Sequence, residues 1–230
     1  LHLSLRRQRQ MCIRDSTIED EIVYSIVENI KNREPTKLKI NCLTGSRHID
    51  NSIINQISSY DRIKEEFIHV IDPKPRLFIV GAVHIAQALI SLAKTADFEI
   101  ILIDPRDHFA TQERFPNCKI INEWPDTALS NFILDKSTHL VTLTHDPKID
   151  DPALIYALKK DIGYIGSLGS KKTHNKRCER LTNIGFDQSD LSRIHGPIGL
   201  DIKAKTPAEI AISIMAEIIN FRRSKNEKKE

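Results

Sequence analysis

No C-x-x-C spacing, no long apolar run and no marked excess of one charge sign occur in this chain, and each absence removes a class of function. The four cysteines, Cys12, Cys42, Cys118 and Cys178, stand far apart. That gives neither a zinc knuckle nor a disulfide framework, so a reducing compartment fits. The apolar runs fall well short of the ~20 residues that span a bilayer, and no charged start, apolar stretch and small-residue cleavage site follow one another. A cytoplasmic protein with no membrane partner is the expectation. Lys and Arg number 34 against 31 Asp and Glu, a net charge of +3. This is too small for a binder of phosphate backbones, so no nucleic acid partner is expected. The nine histidines contain no H-x-x-x-H pair, which removes the metalloprotease helix and leaves metal ligation unknown.

What is present changes character near residue 73. Residues 1–16, LHLSLRRQRQMCIRDS, are basic and aperiodic and look like a translated sequencing adaptor; they are read as non-native and outside the fold. Ile18, Ile22, Val23, Ile26, Val27 and Ile30 then recur at helical spacing, with Thr17 and Asp20 as a capping start. A short strand over 38–42 and a turn at Gly45 follow, so residues 17–72 read as a small, partial α+β domain. Asp72-Pro73-Lys74-Pro75 is a stiff extended link, because each proline fixes its own φ and biases its predecessor away from helix.

From 76 to 222 strand and helix alternate. Apolar runs at 77–80, 100–103, 119–121, 139–143 and 163–165 are separated by helical patterns at 83–95, 125–134, 151–160 and 171–184. Strands that are apolar throughout are buried on both faces. They need helices above and below and right-handed crossovers, which makes an α/β domain with a Rossmann-like, doubly wound parallel sheet. Asp151-Pro152 offers a cap with proline at the first helical position, and Thr206-Pro207-Ala208-Glu209 a capping box for a last helix. Past Arg222, residues 223–230 have nothing to bury and are expected to be a disordered tail.

In such sheets ligands collect beyond the carboxyl ends of the strands. The first exit loop, starting at Gly81 and including His84, keeps the outer small residues of a G-x-G-x-x-A phosphate turn but has Val83 at the middle glycine. A β-branched side chain there should hold a pyrophosphate away from the backbone, although Asp104, 23 residues after Gly81, has the separation of a ribose-binding carboxylate. The second loop, Thr144 to Asp151, is unusually polar, and His145 and Asp146 could bind a metal or the polar edge of a ligand, or form a solvated turn. The third carries Gly166, Ser167, Gly169, Ser170, Lys171, Lys172 and Thr173 from strand into helix, an anion cradle without Walker A spacing. The fourth places His195, Gly199 and Asp201 in a glycine- and proline-containing loop suited to closing over a ligand. All four are expected to converge on one pocket that favours an anion. Tyr156 with Lys160 has short-chain dehydrogenase spacing, but such pairs are common on solvated helix faces. No nucleophile paired with a base is evident, so whether the chain is an enzyme is left open, with binding favoured over turnover.

The strings GAVHIAQAL, LTHDPKIDDPAL, YIGSLGSKKTH and RIHGPIGLDIKAKTPAEIAISIMAEI, with RFP at 114–116 and WPD at 124–126, resemble the carboxyl-terminal domain of the XdhC/CoxI family. The resemblance spans residues 75–219, with Val83 replacing the second glycine of the family's GAGH. It implies a maturation factor of purine catabolism: a chaperone that transiently holds molybdenum cofactor (molybdopterin), assists its sulfuration and delivers it to a xanthine dehydrogenase-type molybdenum hydroxylase. A cysteine desulfurase would be the sulfur donor and a homodimer the working form. Residues 17–72 would be a truncated remnant of the family's amino-terminal domain. The phosphate would lie at 167–173, with His84, His145, Asp146 and His195 lining the rest. The rivals are an NAD(P)-dependent oxidoreductase using Gly81 and Asp104, and a regulatory subunit that binds ligand only to sense it.

Overall fold

The computed structural model describes residues 18–50, 58–116 and 118–227. It divides into two compact units, residues 1–73 and 74–230. In the first unit, helix α1 (Asp20–Lys31) precedes strands β1 (Thr36–Asn41), β2 (Arg47–Asp50), β3 (Ser59–Asp61) and β4 (Glu66–Ile71). They form an antiparallel sheet in the order β2-β1-β4-β3. The β1–β2 turn is tied by Asn41, whose side-chain oxygen accepts from the Leu43 and Thr44 amides. Only β1 stood out in the sequence, because these strands alternate short apolar and charged residues and are half exposed. Helix α1 is preceded by Glu19, which makes no side-chain capping bond. The proposed Thr17 cap and the adaptor-like segment lie outside the described residues.

The second unit contains β5 (Arg76–Val80), α2 (His84–Thr95), β6 (Glu99–Ile103), β7 (Lys119–Ile121), α3 (Pro125–Ser130), β8 (Thr138–Thr142), α4 (Pro147–Leu158), β9 (Tyr164–Ser167), α5 (Lys171–Asn183), α6 (Gln188–Leu191), β10 (Ile194–His195) and α7 (Pro207–Glu227). All six strands are parallel, in the order β10-β9-β8-β5-β6-β7, so the expected doubly wound sheet is present. The winding reverses between β5 and β8, and this switch point fixes where a crevice opens. Alternate residues of each strand feed opposite layers. Leu77, Ile79, Leu102 and Val141 pack on Leu89 of α2 and Ile214 and Ile218 of α7. Phe78, Val80, Ile101 and Leu140 pack on Leu129, Leu154 and Leu181 of α3, α4 and α5. Each such side chain removed from water contributes roughly 1.5–3 kcal/mol.

Three helix boundaries differ from the sequence reading. Helix α4 starts at Pro147, capped by Asp146, whose side chain accepts from the Lys148 amide. Asp151-Pro152 therefore lies inside the helix, because Asp146-Pro147 supplies the same start signal one turn earlier. Helix α3 stops at Ser130 instead of near 134. Helix α7 continues past Arg222 to Glu227, held by tertiary contacts: Phe221 packs edge-on against Tyr164 and His195, and the Arg222 guanidinium lies over the Phe98 ring at 5.0 Å. Residues 228–230 of the expected tail lie outside the described residues. Among the described residues no helix is long and apolar enough to cross a membrane.

Candidate functional site

At the switch point Gly81 has φ +112, and a Cβ there would lie 2.6 Å from the Thr144 methyl. The close approach is what glycine permits: the β5 and β8 exits touch. Thr144 in turn donates its hydroxyl to Asp150 Oδ1 at 2.6 Å, and its amide lies 3.4 Å from the same oxygen. His145 between them takes a left-handed backbone, φ 62. His84, the first residue of α2, is exposed.

Asp104 is fully enclosed. Its Oδ2 accepts from the Ala82 amide at 2.8 Å and from Arg106 Nη2 at 2.7 Å, while Oδ1 accepts from the Arg106 amide and Nε. Burial pushes this carboxyl up, but the bonds from Arg106 and Ala82 outweigh it and hold the group below the usual carboxylate range. Both oxygens are committed inside the protein, which leaves no acceptor facing a ribose.

Helix α5 begins on Ser170, whose hydroxyl accepts from the Thr173 amide at 3.2 Å. Gly169 before it has φ +141. The remaining first-turn amides have no carbonyl to bond within the helix. Lys172, Thr173, Lys176, Arg177 and Arg180 fall at i, i+1, i+4, i+5 and i+8, one face of α5, and that face meets the first turns of α4. Between them is a cavity of ≈230 Å³ lined by these five residues with His145, Pro147 and Asp150. Arg180 is paired with Asp151 at 2.6 and 2.9 Å. Arg177 is 2% exposed; its Nη2 donates to the Leu168 carbonyl at 2.8 Å, and its Nε has no partner. Asp150 is also 2% exposed, and its Oδ2 has no partner. Burial pushes the Asp150 carboxyl up to about 6 against the bonds from Thr144, and burial lowers the Arg177 guanidinium.

A second constellation lies at the β9–β10 edge. His195 stacks on Tyr164 with ring centroids 4.6 Å apart, and Glu217 of α7 gathers the Tyr164 hydroxyl, His195 Nδ1 and the Gly199 amide. Gly166 has no room for a side chain, since a Cβ would lie 2.4 Å from Ile198. Asp201 is exposed and pairs with Lys203 at 2.7 Å.

The structure thus brings together His145, Lys172 and Thr173, with Asp146 and Ser170 as the caps of the two helices that wall their cavity. The cavity lining does not include Gly81, His84, Asp104, Lys171, His195, Gly199 or Asp201. The four exit turns divide between several environments where the sequence suggested one. Ser167 is buried, its hydroxyl bonded to Thr142, so it serves the core. Asp150, Lys176, Arg177, Arg180 and Glu217 were not singled out in the sequence; the helical spacing of the α5 cations was the available signal. Cys178 Sγ lies 3.5 Å from His174 Nε2, yet burial pushes the thiol up despite Arg177 nearby. The Lys160 ammonium, just past the end of α4, sits over the Tyr156 ring at 5.6 Å. Among the described residues no group of three or more His, Cys, Asp or Glu could hold a metal ion.

The XdhC Rossmann domain family matches residues 77–218. This chain belongs to that family. One relative of the XdhC-family chain, a protein of Bacillus subtilis (strain 168) named as a probable xanthine dehydrogenase subunit, is 33% identical over 165 residues, covering 71% of this chain and 48% of that protein. Another, the molybdenum cofactor insertion chaperone PaoD of Escherichia coli (strain K12), is 29% identical over 150 residues, covering 65% and 41%. The XdhC-family chain therefore spans less than half the length of either. A Bacillus halodurans crystal structure, described as a xanthine dehydrogenase, superimposes with a TM-score of 0.70 at 26% identity, covering 88% of this chain and 67% of that one. The family expected from the four loop strings is confirmed.

Proposed function

We propose that this chain is an accessory factor that binds molybdenum cofactor and supports its sulfuration and insertion into a xanthine dehydrogenase-type molybdenum hydroxylase. The cationic cavity between α4 and α5 is the observation that carries the reading. A relative named as a cofactor insertion chaperone and another named as a xanthine dehydrogenase subunit support it. Molybdopterin ends in a phosphate, and the donor set fits: Lys172, Lys176 and a buried Arg177 whose Nε lacks a partner, beside the capped start of α5. When bound, the cofactor supplies the molybdenum centre that the partner enzyme uses. The chain's own residues bind and orient it: Arg177 is held by the Leu168 carbonyl, His145 by its fixed backbone, and Asp150 by Thr144.

The chemistry required of the chain is retention and release. Among the described residues the thiol beside an imidazole is Cys178, and burial pushes it up, away from the reactive thiolate, so sulfur is assigned to a separate cysteine desulfurase. The enclosed Asp104 and Val83 weigh against nicotinamide chemistry. Anaerobic purification followed by joint assay of bound pterin and molybdenum tests the reading, with transfer to a hydroxylase lacking cofactor as the second step. Stoichiometric pterin and transfer support it. Pterin without transfer would make the chain a sensing subunit, and no pterin at all would refute cofactor binding.

A further inference from the structure

The α4–α5 cavity contains a feature that simple anion attraction does not explain. Its cations would bind any oxyanion, yet a buried carboxylate, Asp150, sits among them. Asp151 is spent on Arg180. Asp150 is not spent in this way: Thr144 bonds its Oδ1, and Oδ2 is left without a partner. Across the same cavity Arg177 uses Nη2 on the Leu168 carbonyl and keeps Nε without a partner. A buried acceptor and a buried donor, each lacking its bond, are costly to leave so, and a ligand that serves both relieves both.

The two orphan atoms define that ligand. It must accept from Arg177 and donate to Asp150. Sulfate, a carboxylate or a phosphodiester presents only acceptors at neutral pH, so no donor offsets its repulsion by Asp150. Inorganic phosphate keeps a P–OH throughout the neutral range and so can donate once while accepting elsewhere; a phosphomonoester, whose second pKa is about 6, does so by taking up one proton on binding. At ≈230 Å³ the cavity is below the roughly 300–1,000 Å³ of pockets that enclose a whole drug-sized ligand, so it suits the phosphate end of a larger molecule.

We propose that this cavity is a phosphate-selective site, for inorganic phosphate or for a phosphomonoester that takes up one proton on binding, in which Asp150 accepts the P–OH while Arg177, Lys172 and Lys176 bind the charged oxygens. The identity of the rest of the ligand rests on the cofactor reading above, and the site then favours the form ending in a terminal phosphate over one extended through a diester. Burial brings the Asp150 carboxyl to about 6, so it is largely ionised, and an acceptor, at pH 7.5.

Titration calorimetry of the full chain at pH 7.5 with inorganic phosphate, phenyl phosphate, sulfate and dimethyl phosphate tests this. Inorganic phosphate should saturate, phenyl phosphate should bind with uptake of one proton, and sulfate and dimethyl phosphate should be at least ~10-fold weaker than inorganic phosphate, a gap of about 1.4 kcal/mol. Asp150→Asn should raise sulfate to the affinity of phosphate, because the repelling charge and the selective acceptor disappear together. Arg177→Met should lose every oxyanion, and the exposed Lys176→Gln, which disturbs no core contact, should weaken all of them alike. Equal wild-type affinity for sulfate and phosphate, or a ratio unchanged in Asp150→Asn, overturns the proposal. Selective phosphate binding by a chain that never carries pterin would uphold this site and sink the cofactor reading. Pterin loading with no discrimination would do the opposite.

Discussion

The Tyr164 hydroxyl, buried at the end of the sheet, donates to Glu217 of α7 at 2.5 Å. Glu217 also accepts from His195 Nδ1 at 3.2 Å and from the Gly199 amide at 2.7 Å, so one carboxylate fastens β9, β10 and the loop after them to the last helix. Burial pushes Glu217 up, but these bonds prevail and hold it below the usual carboxylate range. Glu217→Ala should therefore cost about 3 kcal/mol in urea unfolding, because it leaves a buried hydroxyl and an amide unpaired, whereas Tyr164→Phe should cost about 1 kcal/mol. A depressed folded value means that this contribution is present at neutral pH and is lost as pH falls through that value. Glu217→Gln should flatten the acid limb of the stability curve.

His139 lies between Phe98 and Tyr164, with centroids 5.4 and 6.5 Å away, and its Nε2 has no partner. Burial, aided by Arg222, lowers it to about 4. Folding therefore excludes its proton, and stability is lost as pH drops from the unfolded imidazole value towards 4, by up to ~3 kcal/mol. His139→Phe cannot titrate. Its stability relative to wild type should rise over that interval in denaturant melts, and a constant difference would show that the ring does not titrate as described.

Asp150 has the opposite sign. Its folded value is raised, so the proton is bound more tightly in the folded state, and the resulting stability is complete at low pH and disappears as pH rises through about 6. Asp150→Asn should match wild type near pH 4 and exceed it at pH 8 by up to ~3 kcal/mol, read from thermal or urea midpoints. Superposable curves at both pH values would contradict the raised value.

Asp104 and Arg106 form a paired unit that closes the β6 exit. Asp104→Ala should destabilise by roughly 1–3 kcal/mol, since it strips the Ala82 amide of its acceptor while the partly exposed Arg106 turns to water. Fluorescence titration with NADH or NADPH should show no saturable signal at micromolar concentrations, in wild type as in the variant. Saturation abolished by Asp104→Asn would restore the dinucleotide reading.

The sequence alone determined the alternation of strands and helices from 76 to 184 and the doubly wound class, because runs such as 77–80 and 100–103 are apolar at every position and only a sheet covered on both faces can bury them, and its loop strings determined the family. It also identified which segments follow the strands, and the structure brings His145, Lys172 and Thr173 of those segments together around one cavity. The tertiary structure alone decided which of those turns share a cavity. Asp104 has the spacing of a ribose ligand but is turned inward by Arg106, and Tyr164 meets its acceptor 53 residues along the chain. The opposition of Asp150 and Arg177 belongs with these. Periodicity encodes which face of an element is buried; a partner for a buried polar atom depends on how two elements pack, and that is set by the layers and crossovers of the whole sheet.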